Sequence, residues 1–471
     1  MSASNLSKID ASPTKAFFVQ MLTRDIELED AILDLLDNCV DGIQRNLDDN
    51  ANEDKPYQGF WAKITFSKDG FKIEDNCGGI PLIIAQQYAF RMGRPPRSLD
   101  DRVYTIGTYG IGMKRSIFKM GRSCAIISQT ENDAFEVTIS PSWLSDDSNW
   151  DLPFTEIPRR LGENGTIIEV KNLYESISEE FSNTRIYNSL FNRISQHYSY
   201  ILHKGFRVKV NNSLVPAKPL SLLWDGEETI GNSNTIAPFL YQTNKDGVEV
   251  RLAVGFYRSI ASKEEVDDET SGTRRTKENA GWTIVCNDRV VLYCDRTILT
   301  GWGEERVPSY HPQFIAISGI VYFRSKDAKK LPITTTKRGI DASSELYLEV
   351  KKYMREGLKY FTAYTNKWKE HVIDEKERIK QTTPVSPQKI FDVIPSTSWT
   401  KVRNRKDEKK YVPPLPEPPS ENGSMKKRVI RFSRFIEEIK LLANYFENPD
   451  LSPSDIGNEC FEKVLEQAEN E

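Results

Sequence analysis

The chain has few of the residues and patterns that build disulfide frameworks, zinc sites or membrane spans. Its 471 residues include six cysteines and four histidines, and no two cysteines form a CxxC pair. Thiols scattered in this way make a structural zinc site or a disulfide scaffold improbable and favour a reducing compartment. No stretch approaches the ~18 consecutive apolar residues of a membrane span, and the amino terminus lacks a signal-peptide pattern. We therefore expect a cytoplasmic protein with no membrane contact.

An excess of charge of one sign is also missing. The formal net charge is -4, with 28% charged and 38% hydrophobic residues, a composition typical of globular proteins. This balance gives no global argument for nucleic-acid binding, so any such contact must come from local patches. The sequence contains no GxxxxGK[ST] motif, which excludes a P-loop nucleotide site. The length predicts about two to three domains.

What the sequence does contain is an acidic helix, predicted between Glu27 and Asn46. Asp34, Asn38 and Asp41 are spaced i, i+4 and i+7, which places them on one face of a helix. The apolar residues fall largely on the other side. An ordinary amphipathic helix would turn this polar stripe to solvent, so the helix alone leaves two interpretations open, a solvated face and a site.

Three glycine-containing motifs follow the acidic helix along the chain. They are Ile73 to Pro81 (IEDNCGGIP), Ile106 to Lys114 (IGTYGIGMK) and Gly165 to Val170 (GTIIEV). Glycine allows a sharp turn and a close approach of the backbone to a ligand. Each motif is weak evidence alone, because glycine-rich turns are common. Their order and spacing together are far more specific and favour a binding site.

With these residues, the sequence resembles the GHKL ATPase superfamily, which includes gyrase B, MutL, MORC proteins, a heat-shock chaperone and histidine kinases. The pattern is an acid-x-x-x-Asn-x-x-Asp helix, Asp-x-Gly-x-Gly, Gly-x-x-Gly-x-Gly and a Gly-Thr strand. It extends over roughly Phe17 to Leu173, and the glycine motif looks most like the MORC and MutL versions. The resemblance implies an α+β fold, in which a Bergerat-type sandwich has helices on one face of a mixed, mainly antiparallel sheet. An S5-like transducer domain and a short helical tail would follow.

The resemblance implies ATP and Mg²⁺ as cofactors and gives roles to the acidic helix. Asn38 matches the metal-ligating asparagine, whose amide oxygen suits a hard cation. Asp34 matches the general base that orients and polarises the attacking water. The family usually has glutamate there, and aspartate is shorter by roughly 1.5 Å of reach, so we expect slow hydrolysis. Asp37 and Asp41 are interpreted as acids that orient neighbours, with a solvated face as the alternative.

The resemblance also implies contacts to the nucleotide. Asp75 matches the aspartate that accepts a hydrogen bond from the adenine amino group, which selects adenine over guanine. Thr166 of the Gly-Thr strand matches a residue near adenine, and Gly79 is retained where Cys77 replaces the preceding glycine of the motif. The second glycine motif would cradle the phosphates with backbone amides at a helix start. Its expected members are Gly107, Gly110, Ile111, Gly112, Met113 and Lys114, the last adding a charge-assisted contact.

The second half of the chain contains predicted strands and then a long helix from Ser343 to about Lys369, similar to a transducer domain. The resemblance makes Lys337 the lysine that senses the γ-phosphate and stabilises charge during its transfer. Arg338 and a plain solvated basic loop are the alternatives. We predict an ATPase domain over 1–173, a transducer-like domain over 174–375, a proline-rich basic linker over 376–427 and a helical segment over 428–471.

Function beyond the nucleotide is implied only by the resemblance. It predicts an ATP-dependent homodimer whose closure acts as a clamp or switch on DNA or on a partner protein such as a nuclease or helicase. The basic linker residues suit either a solvated tether or nucleic-acid phosphates. The competing hypotheses are a nucleotide-regulated binding or scaffold module that does not hydrolyse ATP, and a chaperone-like ATPase.

Overall fold

The computed structural model describes residues 14–47, 54–91, 104–106, 110–159, 164–230, 232, 234–271, 279–334, 337, 339–402, 407–419, 430 and 433–469. The chain divides into two compact units, Met1–Pro418 and Pro419–Glu471. The helices are α1 Lys15–Thr23, α2 Leu28–Asn46, α3 Leu82–Ile84, α4 Gly112–Met120, α5 Pro141–Ser145, α6 Glu175–Ser182, α7 Thr184–His197, α8 Ser199–His203, α9 Lys263–Ser271, α10 Glu345–Trp368, α11 Val372–Ile379, α12 Pro387–Val393, α13 Ile436–Tyr445 and α14 Pro453–Glu469. A π-helical turn, Ala85–Ala89, continues α3.

The strands form two large sheets and one small pair. They are β1 Trp61–Ser67, β2 Gly70–Asp75, β3 Gly121–Gln129, β4 Ala134–Ile139, β5 Phe154–Glu156, β6 Gly165–Leu173, β7 Arg207–Val210, β8 Ser213–Leu214, β9 Leu222–Trp224, β10 Phe239–Lys245, β11 Val248–Phe256, β12 Gly281–Cys286, β13 Arg289–Asp295, β14 Ile317–Arg324, β15 Thr383–Val385, β16 Thr400–Lys401 and β17 Lys409–Tyr411. The small pair joins β9 to β15.

The first sheet has the strand order β5-β4-β3-β6-β2-β1-β7-β8. Its neighbours pair antiparallel except for β1 with β7. Along β1, buried Ala62, Ile64 and Phe66 alternate with more exposed side chains, so one face of the sheet carries the core. Helices α2, α4 and α7 contribute to that core. Strands β1 and β2 form an antiparallel hairpin.

Helix α2 is the central helix on this sheet. Its apolar side chains, such as Ile32, Leu36 and Val40, are fully buried in the core with the strands. Their spacing of four residues keeps them on one side of the helix. The opposite side packs against α4 and carries the acidic residues. The apolar period therefore fixes which way the acids point.

The second sheet has the order β13-β12-β14-β11-β10-β17-β16 and is covered on both faces. Every residue of β12 is buried, which fits a strand inside a layered core. Helix α10 packs on one face through Tyr347, Met354 and Phe361. Residues of α8 and α12 belong to the core on the other face. The predicted α+β architecture, with a second α/β layer and a helical tail, is confirmed.

Two parts of the predicted domain plan differ in detail from the described elements. The first sheet continues beyond residue 173, because β7 pairs with β1 and the first core extends to Val215. The segment predicted as a linker, 376–427, contains the end of α11 and all of α12 and β17, and β17 adds to the second sheet beside β10. Tyr411 of β17 is 5% exposed. Within the described residues of this segment, prolines therefore separate short packed elements, which corrects the predicted proline-rich linker.

The second unit contains α13 and α14. The apolar side chains of these helices are largely exposed, with Leu441 at 70% and Val464 at 63% exposed. Within this unit Ala443 and Ile456 are buried.

Candidate functional site

A cavity of about 180 Å³ opens between α2, α4 and the first sheet. Of the described residues for which the sequence predicted a role in the site, all but Asp37 line it: Asp34, Asn38, Asp41, Asp75, Gly79, Gly110, Ile111, Gly112, Met113, Lys114, Thr166 and Lys337. Gly107 and Arg338 lie outside the described residues. The structure thus brings together side chains from distant parts of the chain, such as Asp34 and Lys337.

One end of the cavity is built around Asp75 at the end of β2. The backbone N–H of Cys77 donates to Oδ1 of Asp75 at 2.7 Å, and the Cys39 thiol donates to Oδ2 at 3.4 Å. Burial raises the pKa of the Asp75 carboxyl against these hydrogen bonds. Thr166 at the start of β6 and the apolar Ile73 line the same cavity. This end therefore offers a fixed polar acceptor in an apolar slot, which suits a flat heterocyclic base.

Two glycines make this end narrow. Gly79 has a φ of +72°, and a Cβ there would lie 2.1 Å from the carbonyl oxygen of Gln129. A Cβ at Gly165 would lie 1.9 Å from the carbonyl oxygen of Asp75. Any larger residue at either position would push apart the backbone segments that define the slot. Glycine at 79, as the Asp-x-Gly-x-Gly motif predicts, is thus required by the backbone.

The other end of the cavity is the start of α4. Gly110 has a φ of +68°, Ile111 caps the helix, and α4 begins at Gly112. The first backbone N–H groups of a helix have no partner within the helix, and the helix dipole is positive at this end. This geometry suits an anion such as a phosphate group.

Lys114 does not point freely into this end of the cavity. Its amine donates to the carbonyl oxygens of Ala89, at 2.8 Å, and of Gly110. Burial lowers its pKa to about 8. The predicted phosphate contact of Lys114 therefore requires its amine to leave or share these carbonyls.

Asn38 is open to the cavity. Over the described α2 residues from Leu28 to Ile43 it is the one exposed residue, whereas Glu29 is half-buried and its neighbours Asp37 and Cys39 are buried. An amide oxygen that faces a cavity from a rigid helix is a neutral ligand suited to a hard cation. The position of Asn38 therefore fits the magnesium role that the resemblance implies.

Asp34 lies one turn before Asn38, between two cations. Its Oδ2 pairs with Nη2 of Arg115, and its Oδ1 lies 3.4 Å from Nζ of Lys337. Asp34 is 4% exposed. Both carboxylate oxygens are therefore engaged, and a water molecule that is to give a proton to Asp34 must replace one of these partners.

Asp37 is the most deeply buried acid of α2. It is 1% exposed, so the solvated alternative is wrong for this residue. Its Oδ2 pairs with Lys337 at 2.9 Å and its Oδ1 with Nε of Arg289 at 3.0 Å, and the Tyr198 hydroxyl donates to Oδ1 at 2.5 Å. Burial would raise the pKa of Asp37, but the charges of Lys337 and Arg289 outweigh it and hold the pKa below its usual value.

Lys337 is held charged by the same acids. Burial would lower its pKa, but the charges of Asp37, Asp34 and Asp41 raise it above the usual value. Its backbone φ is +57°, within a tight turn closed by a hydrogen bond from its own N–H to the carbonyl of Thr334. The loop therefore presents a fixed ammonium group to α2, and a plain solvated basic loop is excluded at this position.

Asp41 supports the loop that carries the glycine motif. The backbone N–H of Ile106 donates to its Oδ1 at 2.6 Å, and Asp41 is 6% exposed. The interpretation of Asp41 as an acid that orients its neighbours agrees with this hydrogen bond. The solvated alternative does not fit its burial.

Sequence reasoning missed two cations of the site, Arg115 and Arg289. Arg115 follows the predicted phosphate motif directly, and its place one turn into α4 was a usable signal. Arg289 begins β13, in a segment with no recognisable pattern. Its side chain reaches Asp37 across 252 positions of sequence and stacks over the Tyr198 ring at 4.3 Å. Only the packing of the two sheets brings Arg289 to the site.

Two features are absent from the described ranges, a membrane-spanning helix and a cluster of metal-binding side chains. In that part of the chain, no helix is both long and apolar enough to span a membrane. Nor do three or more His, Cys, Asp or Glu side chains gather there in a group that could hold a metal ion. A cation at Asn38 would therefore depend on ligands supplied by the nucleotide.

Comparison with known proteins supports the nucleotide interpretation for part of the chain. Residues 26–167 match a family model described as histidine kinase-, DNA gyrase B-, and HSP90-like ATPase. The matched segment contains α2, Asp75, the start of α4 and Thr166, and it supports an ATP-binding domain of GHKL type. A search of curated proteins found no match. The narrower likeness to MORC or MutL proteins stays a prediction.

Proposed function

We propose that this chain binds ATP with Mg²⁺ in the cavity and hydrolyses it slowly. The observation that carries the proposal is the convergence of Asp75, Asn38, the start of α4 and Lys337 on one cavity. Adenine would occupy the slot at Asp75, and the triphosphate would extend toward α4. When bound, Mg²⁺ would be held by Asn38 and phosphate oxygens and would neutralise phosphate charge.

Hydrolysis in this proposal depends on Asp34. A carboxylate beside the γ-phosphate can accept a proton from the attacking water. The pairs with Arg115 and Lys337 occupy both oxygens of Asp34, so the γ-phosphate must first draw a cation away. Together with the short reach of aspartate, this requirement supports slow turnover.

The test compares wild type with Asp34→Asn, which keeps the size of the side chain and removes its charge. We expect calorimetry to show that both proteins bind ATP. Phosphate release should fall about 10²-fold or more in the variant, because the proton acceptor is gone. Asp69→Asn, on the exposed turn between β1 and β2, is the matched control and should behave as wild type. Failure of wild type to bind ATP would overturn the proposal.

The alternative function is a nucleotide-regulated binding module that does not hydrolyse ATP. The double ion pair of Asp34 favours it, because a carboxylate that keeps both partners cannot act as a base. Equal, background-level phosphate release from wild type and from Asp34→Asn, with ATP binding intact, would select this alternative.

We further propose that bound ATP closes a homodimer that acts as a clamp or switch on DNA or a partner protein. The resemblance to GHKL proteins supports the dimer. In the basic linker Lys401, Lys409 and Lys410 are among the described residues, and Lys401 is exposed. Lys410 of that linker pairs with Glu356 at 2.6 Å, so fewer of its charges face a partner than the sequence suggests. Size measurement with a non-hydrolysable ATP analogue tests the dimer, and an unchanged monomer mass would refute it.

A further inference from the structure

We propose that Arg115 is a further catalytic residue of this site, which exchanges its ion pair with Asp34 for an oxygen of the γ-phosphate when ATP binds. The inference rests on the proposed ATP site. It adds a cation that none of the motifs predicted and that belongs to α4, whereas Lys337 reaches the site from the second half of the chain. The two cations would then act on the same phosphate group from two different elements.

Arg115 is placed where the triphosphate would enter the start of α4. It lies on the first turn of α4, three residues after Gly112, and lines the cavity. Its Nη2 pairs with Oδ2 of Asp34, while Lys337 approaches Oδ1. The carboxylate of Asp34 is thus flanked by a cation on each oxygen.

The Arg115 guanidinium has an N–H donor that is not used within the described residues. The Arg115 side chain is 13% exposed, and its Nε is buried without a hydrogen-bond partner in the part of the chain that the structure describes. A buried N–H group without a partner costs free energy. A guanidinium has five donors in a planar fork that matches phosphate oxygens. A phosphate group in the cavity would supply the acceptor that this fork lacks.

Lys337 and Arg115 differ in the number of acidic partners that hold them. Lys337 keeps Asp37 at 2.9 Å as a second acidic partner, so it stays anchored even when it leaves Asp34. Among the described residues, Asp34 is the one acid paired with Arg115. An anion entering the cavity therefore competes for Arg115 against a single carboxylate. Arg115 is the cation that changes partner at the lower cost.

The γ-phosphate would lie within reach of the Arg115 side chain. A base must lie within hydrogen-bond distance of the attacking water, and that water must lie about 3–3.5 Å from the phosphorus. The oxygens of the γ-phosphate are therefore about one water diameter from Asp34, within the swing of a side chain that already contacts Asp34. Departure of Arg115 also frees Oδ2 of Asp34 to accept the proton.

In the hydrolysis step, water replaces ADP on the γ-phosphorus. The water oxygen forms a bond to the γ-phosphorus, and the bond from that phosphorus to the bridging oxygen breaks with its electron pair staying on ADP. One proton of the water passes to Asp34. Arg115 forms no covalent bond and gives up no proton. Its charge stabilises the negative charge on the phosphoryl oxygens during transfer.

The experiment measures affinities for ATP and for ADP, and single-turnover hydrolysis, in wild type, Arg115→Ala and Arg115→Lys. We expect Arg115→Ala to weaken ATP binding about 10-fold more than ADP binding, because ADP lacks the γ-phosphate. Hydrolysis should slow about 10²-fold or more. Arg115→Lys should recover part of both losses, because it keeps the charge without the fork. The lysine variant also provides the test if the alanine variant does not fold.

The control is Arg122→Ala, which removes an exposed arginine from the start of β3, where it lies over the Tyr174 ring. It should leave both affinities and the rate unchanged. An ATP-to-ADP affinity ratio in the Arg115 variants equal to that of the control would overturn the inference. So would an unchanged ratio with a shifted pH profile of hydrolysis, since that result would make Arg115 a positioning residue for Asp34. Failure of wild type to bind ATP would instead overturn the proposed function itself.

Discussion

Helices α2 and α10 each lie against one of the two large sheets, yet they bury opposite chemistry. Helix α2 buries the carboxylates of Asp34, Asp37 and Asp41. Helix α10 buries aromatic rings, with Tyr353 stacked on Tyr241 at 3.7 Å between centroids and Phe361 packed edge-on to Phe256. Helix α2 also has an exposed Asn38 in the middle of its buried face.

The difference shows that α10 mainly stabilises the fold, whereas α2 mainly builds the candidate binding site. Rings stabilise a fold through buried area and stacking. Buried carboxylates do not, because desolvation offsets most of what their ion pairs return. The acids of α2 are compensated by Lys337 and Arg289, which come from the second half of the chain. Folding of the second sheet therefore completes the charge balance of the cavity, and changes in the two helices should have separable effects.

The largest expected effect is on stability, from Tyr353→Ala in α10. The change removes the stacked ring and the hydroxyl that donates to the buried Glu408. We expect unfolding free energy to fall by about 3–5 kcal/mol. The protein that remains folded should still bind ATP with wild-type affinity, because Tyr353 is not among the residues lining the cavity. Urea denaturation and calorimetry measure the two quantities.

Tyr353→Phe is the matched control for that change. It keeps the ring and removes only the hydroxyl, so it should cost about 1–2 kcal/mol. A loss of ATP affinity in folded Tyr353→Phe would show that α10 communicates with the cavity and would break the separation between the helices.

The second effect is on affinity, from Asn38→Ala in α2. We expect ATP binding in the presence of Mg²⁺ to weaken about 100-fold, because the amide ligand is lost. Stability should change by less than about 0.5 kcal/mol, since the side chain is exposed. Asn132→Ala, on the exposed turn between β3 and β4, is the control for both measurements. An equal loss of affinity with Mg²⁺ and with EDTA would contradict the metal role of Asn38.

The same comparison explains what the sequence could predict. Helix α2 follows its period of apolar residues, so its extent and the side on which Asn38 and Asp34 lie could be predicted. The glycine motifs fix local turns, and Gly79 and Gly110 have the positive φ values that such turns need. These features are local in the sequence, and a pattern can record them.

Contacts between distant segments could not be predicted in the same way. Arg289 meets Asp37 only because the turn between β12 and β13 packs beside α2, where Asn287 also donates to the carbonyl of Thr105 at 2.9 Å. The prolines before Pro418 predict a linker, but Tyr411 lies in β17, which pairs antiparallel with β10. Propensity describes a segment alone, and here the sheet edge supplies the backbone partners that hold it.

The smallest effect is a change in pH dependence, from Glu375→Gln in α11. Glu375 is fully buried, and the N–H of Ile260 donates to its carboxylate at 3.3 and 3.4 Å. Burial raises its pKa from 4.5 to about 7, against the opposing effect of this hydrogen bond. The unfolded chain releases the proton at lower pH than the folded chain, so stability falls as the pH rises from about 4.5 to 7. Above pH 7 the loss is complete and amounts to at most about 3 kcal/mol.

The amide keeps the acceptor without the charge, so Glu375→Gln should be more stable than wild type by about 1–2 kcal/mol at pH 8 and equal to it near pH 5. Urea denaturation at the two pH values measures this, with exposed Glu377→Gln on the same helix as the control. If the unfolding free energy of Glu375→Gln changed with pH as it does in the control, ionisation of Glu375 would carry no cost in stability. The surroundings of α11 would then supply a compensating charge, as those of α2 do.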